Sequence, residues 1–226
     1  MKIGILQAGH SPDVVTDSLG DYADMFTRLL AGRGFDFEIY SVVDNEFPTG
    51  PEAADGWLIT GSKHGAYEDH DWIPPLEALI RDIRAAKLPL IGICFGHQII
   101  AQALGGKVEK FEGGWSVGRQ TYRMNGQEIA LNAWHQDQVV RPPEGAEIIA
   151  ESDFCANAGM LIDGRIFTLQ PHPEFGAEMT GALIEHRGGG VPDALLAQAT
   201  ATLDAPVDNP MIAEQMATIL KSGAAK

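Results

Sequence analysis

Cysteine is scarce in this chain: 226 residues carry two, Cys94 and Cys155. Two cysteines do not make the disulfide framework of a small secreted scaffold, and their scarcity fits a reducing compartment. Cations are few as well. Sixteen Lys and Arg stand against 31 Asp and Glu, a formal net charge of −15. That balance argues against nucleic acid or an anionic membrane as main partner, because both require clustered basic residues. No apolar run approaches the ~20 residues of a membrane-spanning helix. The apolar stretch Ile3 to Leu6 lacks the length and the cleavage site of a signal peptide. There is no internal repeat, no low-complexity tract and no Gly-rich phosphate loop of the Walker type. The expectation is a cytoplasmic enzyme or binding domain, with no nucleic acid and no membrane among its partners.

What is present is ordinary globular material. Hydrophobic residues make up 45% and charged residues 21%, enough for one α/β domain with a sizeable core. Ile3 to Leu6 reads as a buried strand, followed by a polar loop from Ala8 to Ser18. Tyr22, Met25, Phe26, Leu29 and Leu30 recur at helical spacing, ended by Gly32 and Gly34. Phe35 to Val43 reads as a strand and Pro48 to Pro51 as a loop. Trp57 to Thr60 is a short strand, Pro74 to Ala86 a helix, Leu90 to Ile93 a strand and Phe95 to Leu104 a helix. This alternation predicts a largely parallel sheet with helices on both faces.

From Lys107 to Gln170 the pattern changes to short strands: Val117 to Met124, Glu128 to Ala133, Ala146 to Ser152, and a hairpin around Asp163-Gly164. This block predicts an antiparallel extension of one edge of the sheet. Gly188-Gly189-Gly190 reads as a loop between C-terminal helices, and Asp208-Asn209-Pro210 as the start of a last helix over Met211 to Leu220.

The chemistry is concentrated in Leu90-Ile91-Gly92-Ile93-Cys94-Phe95-Gly96-His97-Gln98. A strand, then Gly-x-Cys-x-Gly, then a helix is a nucleophile elbow with cysteine as nucleophile. The sharp turn crowds its neighbours, and a glycine two residues to either side relieves that crowding. Cys94 then stands at a helix N-terminus, where peptide dipoles favour thiolate. The N–H of Phe95 is placed to stabilise an oxyanion. The bland alternative, a small buried core cysteine, suits Cys155, which has no such setting.

A cysteine nucleophile needs a base. Of seven histidines, His97 lies one turn into the elbow helix and points away from the substrate side. His172, in Gln170-Pro171-His172-Pro173-Glu174, follows the apolar strand Ile166 to Leu169. Functional groups gather beyond the carboxyl ends of parallel strands, where Cys94 also stands. Glu174 is two residues on, on the same side of an extended chain, and can hold the imidazole N–H. Its bland alternative is an acidic residue opening a helix.

These residues resemble the class I glutamine amidotransferase family, whose Cys-His-Glu triad is divided between an elbow and a late Gln-x-His-Pro-Glu-like segment. The resemblance spans residues 1–186 and also takes in Gly61-Ser62. Trp134-His135-Gln136-Asp137 looks like the segment that GMP synthetase amidotransferase domains place near bound glutamine. It implies a flavodoxin-like three-layer α/β sandwich, a mostly parallel central sheet with an antiparallel extension, and a catalytic domain over 1–186, while residues 187–226, beyond the resemblance, read as a loop and helix expected to pack on the same domain. It implies cleavage of a γ-glutamyl amide bond, of glutamine or a γ-glutamyl small molecule, through a γ-glutamyl thioester. Cys94 would attack, His172 transfer protons and Glu174 orient it. Gly61 and Phe95 would supply oxyanion N–H groups. Gln98 and the backbone at His135 and Gln136 would hold the amino-acid end. No cofactor and no metal are implied.

The ATP-using and dimerisation domains of a one-chain GMP synthetase have no counterpart in these 226 residues. The Cys-Phe-Gly-His-Gln-Ile-Ile run and the C-terminal extension are closer to stand-alone members, the plant γ-glutamyl peptidases among them. Three readings stay open: a free-standing γ-glutamyl hydrolase, an amidotransferase subunit that delivers ammonia to a separate synthetase partner, and a non-catalytic module of the same fold. Phe95, directly after the nucleophile, counts against the related cysteine hydrolases that have histidine there.

The remaining clusters have plain readings. His64, Glu68, Asp69, His70 and Asp71 match no defined metal motif and read as a solvated loop or lid. Tyr67 and Trp72 anchor that loop or meet substrate. Trp115 and Trp134 read as core or pocket-wall aromatics. Asp13, Asp17 and Asp21, at four-residue spacing, read as a solvated face.

Overall fold

A computed structural model describes residues 1–222. Residues 223–226, the end of the C-terminal segment, lie outside the described residues. Five parallel strands form one side of a nine-stranded sheet: β1 (Lys2–Leu6), β2 (Asp36–Tyr40), β3 (Gly56–Ile59), β4 (Leu90–Ile93) and, last in the chain, β11 (Ile166–Leu169). They lie in the order β2-β1-β3-β4-β11. The sheet continues antiparallel through β10 (Gly159–Ile162), β9 (Glu147–Glu151), β6 (Ser116–Met124) and β7 (Gln127–His135). The antiparallel extension is therefore real and lies beyond β11.

Alternation along the strands feeds two separate cores, as a period of two requires. Ile3, Ile5, Leu58, Ile91 and Ile93 face one side, under α2 (Tyr22–Leu29) and α7 (Asn209–Ser222). Leu6, Trp57, Ile59 and Leu90 face the other, under α3 (Ile73–Ala85) and α4 (Phe95–Ala103). The result is a three-layer sandwich. Pro74 and Pro75 fall in the first turn of α3, where a missing N–H costs nothing. At the Asp163-Gly164 hairpin both residues have positive φ, 53° and 66°, the two-residue turn that suits strand twist.

Several expectations need correction. The segment read as a loop from Ala8 to Ser18 contains α1 (Asp13–Leu19). It is short, lacks a side-chain cap and buries Val15 alone, so it has no apolar periodicity to read. Asp21 is not part of a solvated face. It caps α2 in a reciprocal capping box with Asp24 and accepts from Ser11 N at 2.7 Å and His10 Nδ1 at 2.6 Å. The strand expected to reach Val43 stops at Tyr40, because Val42–Asp44 forms a 3-10 turn closed by Asn45 at φ 63°. Two further strands, β5 (Lys107–Lys110) and β8 (Asp137–Arg141), pair in a separate small sheet that the sequence pattern does not announce.

The C-terminal helices belong to the same packed body. Met179 and Leu183 of α5 (Ala177–Arg187) pack with Val15 and Phe175. Val191, just before α6 (Asp193–Ala201), and Ala199 within it pack on Val117 of β6. Ile212, Met216 and Leu220 of α7 are fully buried against the parallel strands. No described helix is long and apolar enough to cross a membrane.

Candidate active site

The site stands at the carboxyl edge of the parallel strands. Cys94 follows β4 at φ 52° and ψ −103°, a left-handed backbone that a residue with a side chain adopts at a cost. The two glycines show why the turn is this tight. A Cβ at Gly92 would lie 2.6 Å from Gly96 O, and one at Gly96 would lie 2.4 Å from Ile59 O on β3. The elbow is thus wedged between α4 and the neighbouring strand, and Cys94 is held in its strained conformation.

β11 runs parallel to β4, with Leu169 opposite Ile93, and Leu169 O accepts from Cys94 N at 2.8 Å. This register brings His172 to Cys94. A point one bond from the Gly61 Cα lies 3.0 Å from His172 Cε1 and 3.8 Å from Cys94 Cβ, so the three positions adjoin. The His172 backbone is fixed by a bridge to Asn132 in β7, with His172 N donating to Asn132 O at 2.8 Å. Its ring lies flat on Phe175, centroids 3.9 Å apart and planes 3° apart, and Tyr22 stacks on Phe175 at 6.2 Å.

His172 Nδ1 is 2.7 Å from Glu174 Oε1, and the Glu174 side chain is fully buried. Burial opposes a charged imidazole. The carboxylate of Glu174 and the neighbouring Cys94 sulfur outweigh it and push the His172 pKa up to about 10. With Nδ1 engaged, Nε2 is the nitrogen left for the cavity. The other buried histidines differ. Burial pushes His97 and His135 down to about 3, so both are neutral. His97 hydrogen-bonds Thr168 Oγ1 at 2.8 Å and does not reach the cavity. Burial also pushes the Cys155 thiol up to about 12, which leaves it inert at neutral pH.

A cavity of about 340 Å³ opens over Cys94 and His172. Gln98, His135 and Gln136 all line it. Gln98 gives Nε2 to Asp137 O at 2.9 Å and to Gln170 Oε1 at 3.1 Å, so its free polar atom is the oxygen. His135 Nδ1 is 3.2 Å from Asp137 O, and its buried Nε2 has no partner among the described residues. Gly61 and Phe95 sit beside Cys94, and neither N–H donates to a backbone acceptor among the described residues. The Phe95 ring turns away onto Trp72. Lys63, Lys110 and Arg187, together with Glu68 and Asp137, add charges of both signs to the lining, and Trp115, Trp134 and Tyr67 add aromatic wall. The lysines, Arg187, Phe175 and Asn132 carry no sequence signal, since long-range contacts alone place them.

Strand order and layering define a flavodoxin-like three-layer α/β architecture, and similarity to known proteins narrows it further. Residues 14–187 match the model of the class-I glutamine amidotransferases, and the chain belongs to that family. It is 29% identical over 198 residues to gamma-glutamyl peptidase 2 of Arabidopsis thaliana, covering 81% of this chain and 80% of that one. It is 31% identical over 171 residues to a glutamine-hydrolyzing GMP synthase subunit of Halobacterium salinarum, covering 71% and 87%. A glutamine amidotransferase from Methylobacillus flagellatus has the same fold, with a TM-score of 0.75 at 24% identity over 99% of this chain and 92% of that one.

Proposed function

We propose that this protein hydrolyses a γ-glutamyl amide bond, of glutamine or a γ-glutamyl peptide, through a γ-glutamyl thioester. The observation that carries this reading is the setting of His172: clamped by Glu174 at 2.7 Å, stacked flat on Phe175, and turned to a cysteine held in a strained elbow. The Cys94 thiolate, paired with the His172 imidazolium, attacks the γ-carbonyl carbon. The N–H groups of Gly61 and Phe95 donate to the developing oxyanion. Collapse breaks the C–N bond, and the leaving amine takes a proton from His172 Nε2. Water then gives a proton to the same nitrogen and attacks the thioester, releasing glutamate and the thiolate. Glu174 holds the ring in one orientation throughout.

The amino-acid end of the substrate carries one charge of each sign, and the cavity wall offers both. The cations Lys63, Lys110 and Arg187 suit the carboxylate. Asp137, Gln98 Oε1 and the backbone at His135 and Gln136 suit the ammonium. Residues 1–186 form the catalytic domain in this reading, with the described C-terminal residues 187–222 packed on it. Self-sufficient hydrolysis is favoured by the gamma-glutamyl peptidase relative, matched along most of both chains. Delivery of ammonia to a synthetase partner is the second reading, favoured by the GMP synthase relative.

Glutamate release by the purified chain decides between them, on glutamine, glutathione, a glutathione conjugate and a γ-glutamyl anilide, with Cys94→Ala as blank. Strong release from one γ-glutamyl peptide establishes a self-sufficient hydrolase. Weak release from all four favours the ammonia-delivering role. Release by Cys94→Ala at the wild-type rate overturns both.

A further inference from the structure

The loop between β3 and α3 carries a second constellation, His64, Glu68 and His70, that has no part in the chemistry at Cys94 and His172. His64 Nδ1 stands 3.4 Å from Glu68 Oε2, and His70 Nε2 stands 2.8 Å from the same oxygen. One ligand atom from each residue lies within 4.8 Å of the other two. In sequence these residues form no recognised motif. The turn around Gly65 brings them together, with Glu68 N donating to Gly65 O at 3.1 Å.

Two imidazoles and one carboxylate are a donor set for borderline divalent ions such as Zn²⁺. Ligand atoms on a tetrahedral ion with bonds near 2.0–2.1 Å stand about 3.3 Å apart. The two separations from Glu68 Oε2, 2.8 and 3.4 Å, bracket that value, and the two imidazoles lie within 4.8 Å of each other. The rings are already placed. His70 stacks on Trp72 at 5.9 Å and 13°, and His64 meets the same indole edge-on at 5.8 Å. Trp72 is buried and rests on Phe95 at 5.4 Å. The loop backbone is pinned by His64 N on Ser62 Oγ at 3.1 Å, Ile73 N on His70 O at 3.0 Å and Gln102 Nε2 on Ala66 O at 2.6 Å. Ligands held this way lose little further freedom on binding.

We propose that His64, Glu68 and His70 bind one divalent transition-metal ion of the Zn²⁺ class, with water completing its coordination. His64 and Glu68 also line the cavity over Cys94, so the ion sits on its rim. It clamps the loop and narrows the mouth.

The test is a Zn²⁺ titration of untagged Cys94→Ala protein by calorimetry, repeated with Co²⁺ to read the visible bands of the ligand field. Removing Cys94 removes a thiol that competes for soft metals, and the readout needs no turnover, so its failure is separable from failure of the γ-glutamyl reading. One equivalent is expected to bind. His70→Ala and Glu68→Gln, each in that background, weaken it by at least about tenfold and leave the far-UV circular dichroism unchanged. Absence of saturable binding overturns the proposal, as does one equivalent bound undiminished in both variants.

Discussion

Cys94 holds φ 52° and ψ −103° because Gly92, Gly96 and Ile59 leave the turn no other course. Backbone strain of this kind is worth about 1–3 kcal/mol, and glycine escapes most of it. Cys94→Ala and Cys94→Gly should both abolish glutamate release. The glycine variant should be the more stable of the two in denaturant titrations, by about 1 kcal/mol or more. Equal stabilities would mean that the elbow is not strained. At His172 the carboxylate of Glu174 drives the upward shift to about 10. Activity that depends on the imidazolium is therefore lost as pH rises through that value. In Glu174→Gln the negative charge is gone, so the alkaline limb of kcat/KM should move to lower pH. His172→Ala should cost several orders of magnitude in kcat and Glu174→Gln less. An unmoved alkaline limb in Glu174→Gln would show that the carboxylate does not set the titration. Cys94, His172 and Glu174 were legible as candidates because a strand, two glycines, two prolines and a helix mark them locally. Asn132 and Phe175, which fix the His172 backbone and ring, were not legible. Asn132 reaches His172 only through a bridge between distant segments, and Phe175 carries no mark beyond being apolar.

Elements that pack a clear face were the readable ones. α3 repeats Leu76, Leu79, Ile80 and Ile83 on one side, and all four are buried. The strands β5, Lys-Val-Glu-Lys, and β8, Asp-Gln-Val-Val-Arg, bury one and two residues respectively. They are held by each other and by Ala101 and Met160 rather than by a pattern of their own, so no periodicity announced them. The elbow makes the sharpest prediction at this scale. Gly96→Ala drives a Cβ to 2.4 Å from a backbone oxygen on β3, whereas at Gly92 the nearest atom is the flexible end of Ile100 at 2.5 Å, with Gly96 O behind it at 2.6 Å. Both variants should lose activity and about 1–3 kcal/mol of stability. Neither clash is relieved by a rotamer change, because each new Cβ meets backbone at 2.6 Å or less. Thermal unfolding and glutamate release measure both.

At the scale of the molecule, the family match ends at residue 187, yet the core does not. Leu220, Met216 and Ile212 of α7 are fully buried beneath the parallel strands. A chain cut after Arg187 should therefore lose cooperative unfolding. Leu220→Ala in the full chain should cost about 2–5 kcal/mol. Retained cooperativity in the truncated chain would mean that α7 only covers the surface. The charge is also unevenly spread. In a chain of net −15, three cations line one cavity, a placement that composition cannot reveal.

The sequence alone determined the alternation of strands and helices, the parallel strands with their antiparallel extension, and the elbow. Each of these follows from short-range sterics and from apolar residues spaced at the period of their element. Only the tertiary structure decided what surrounds the three candidate catalytic side chains. The ring beneath His172, the cations of the cavity and the convergence of His64, Glu68 and His70 are contacts between residues with no common periodicity. They exist because packing the sheet's two faces brings remote loops to one edge, and no local rule encodes that juxtaposition.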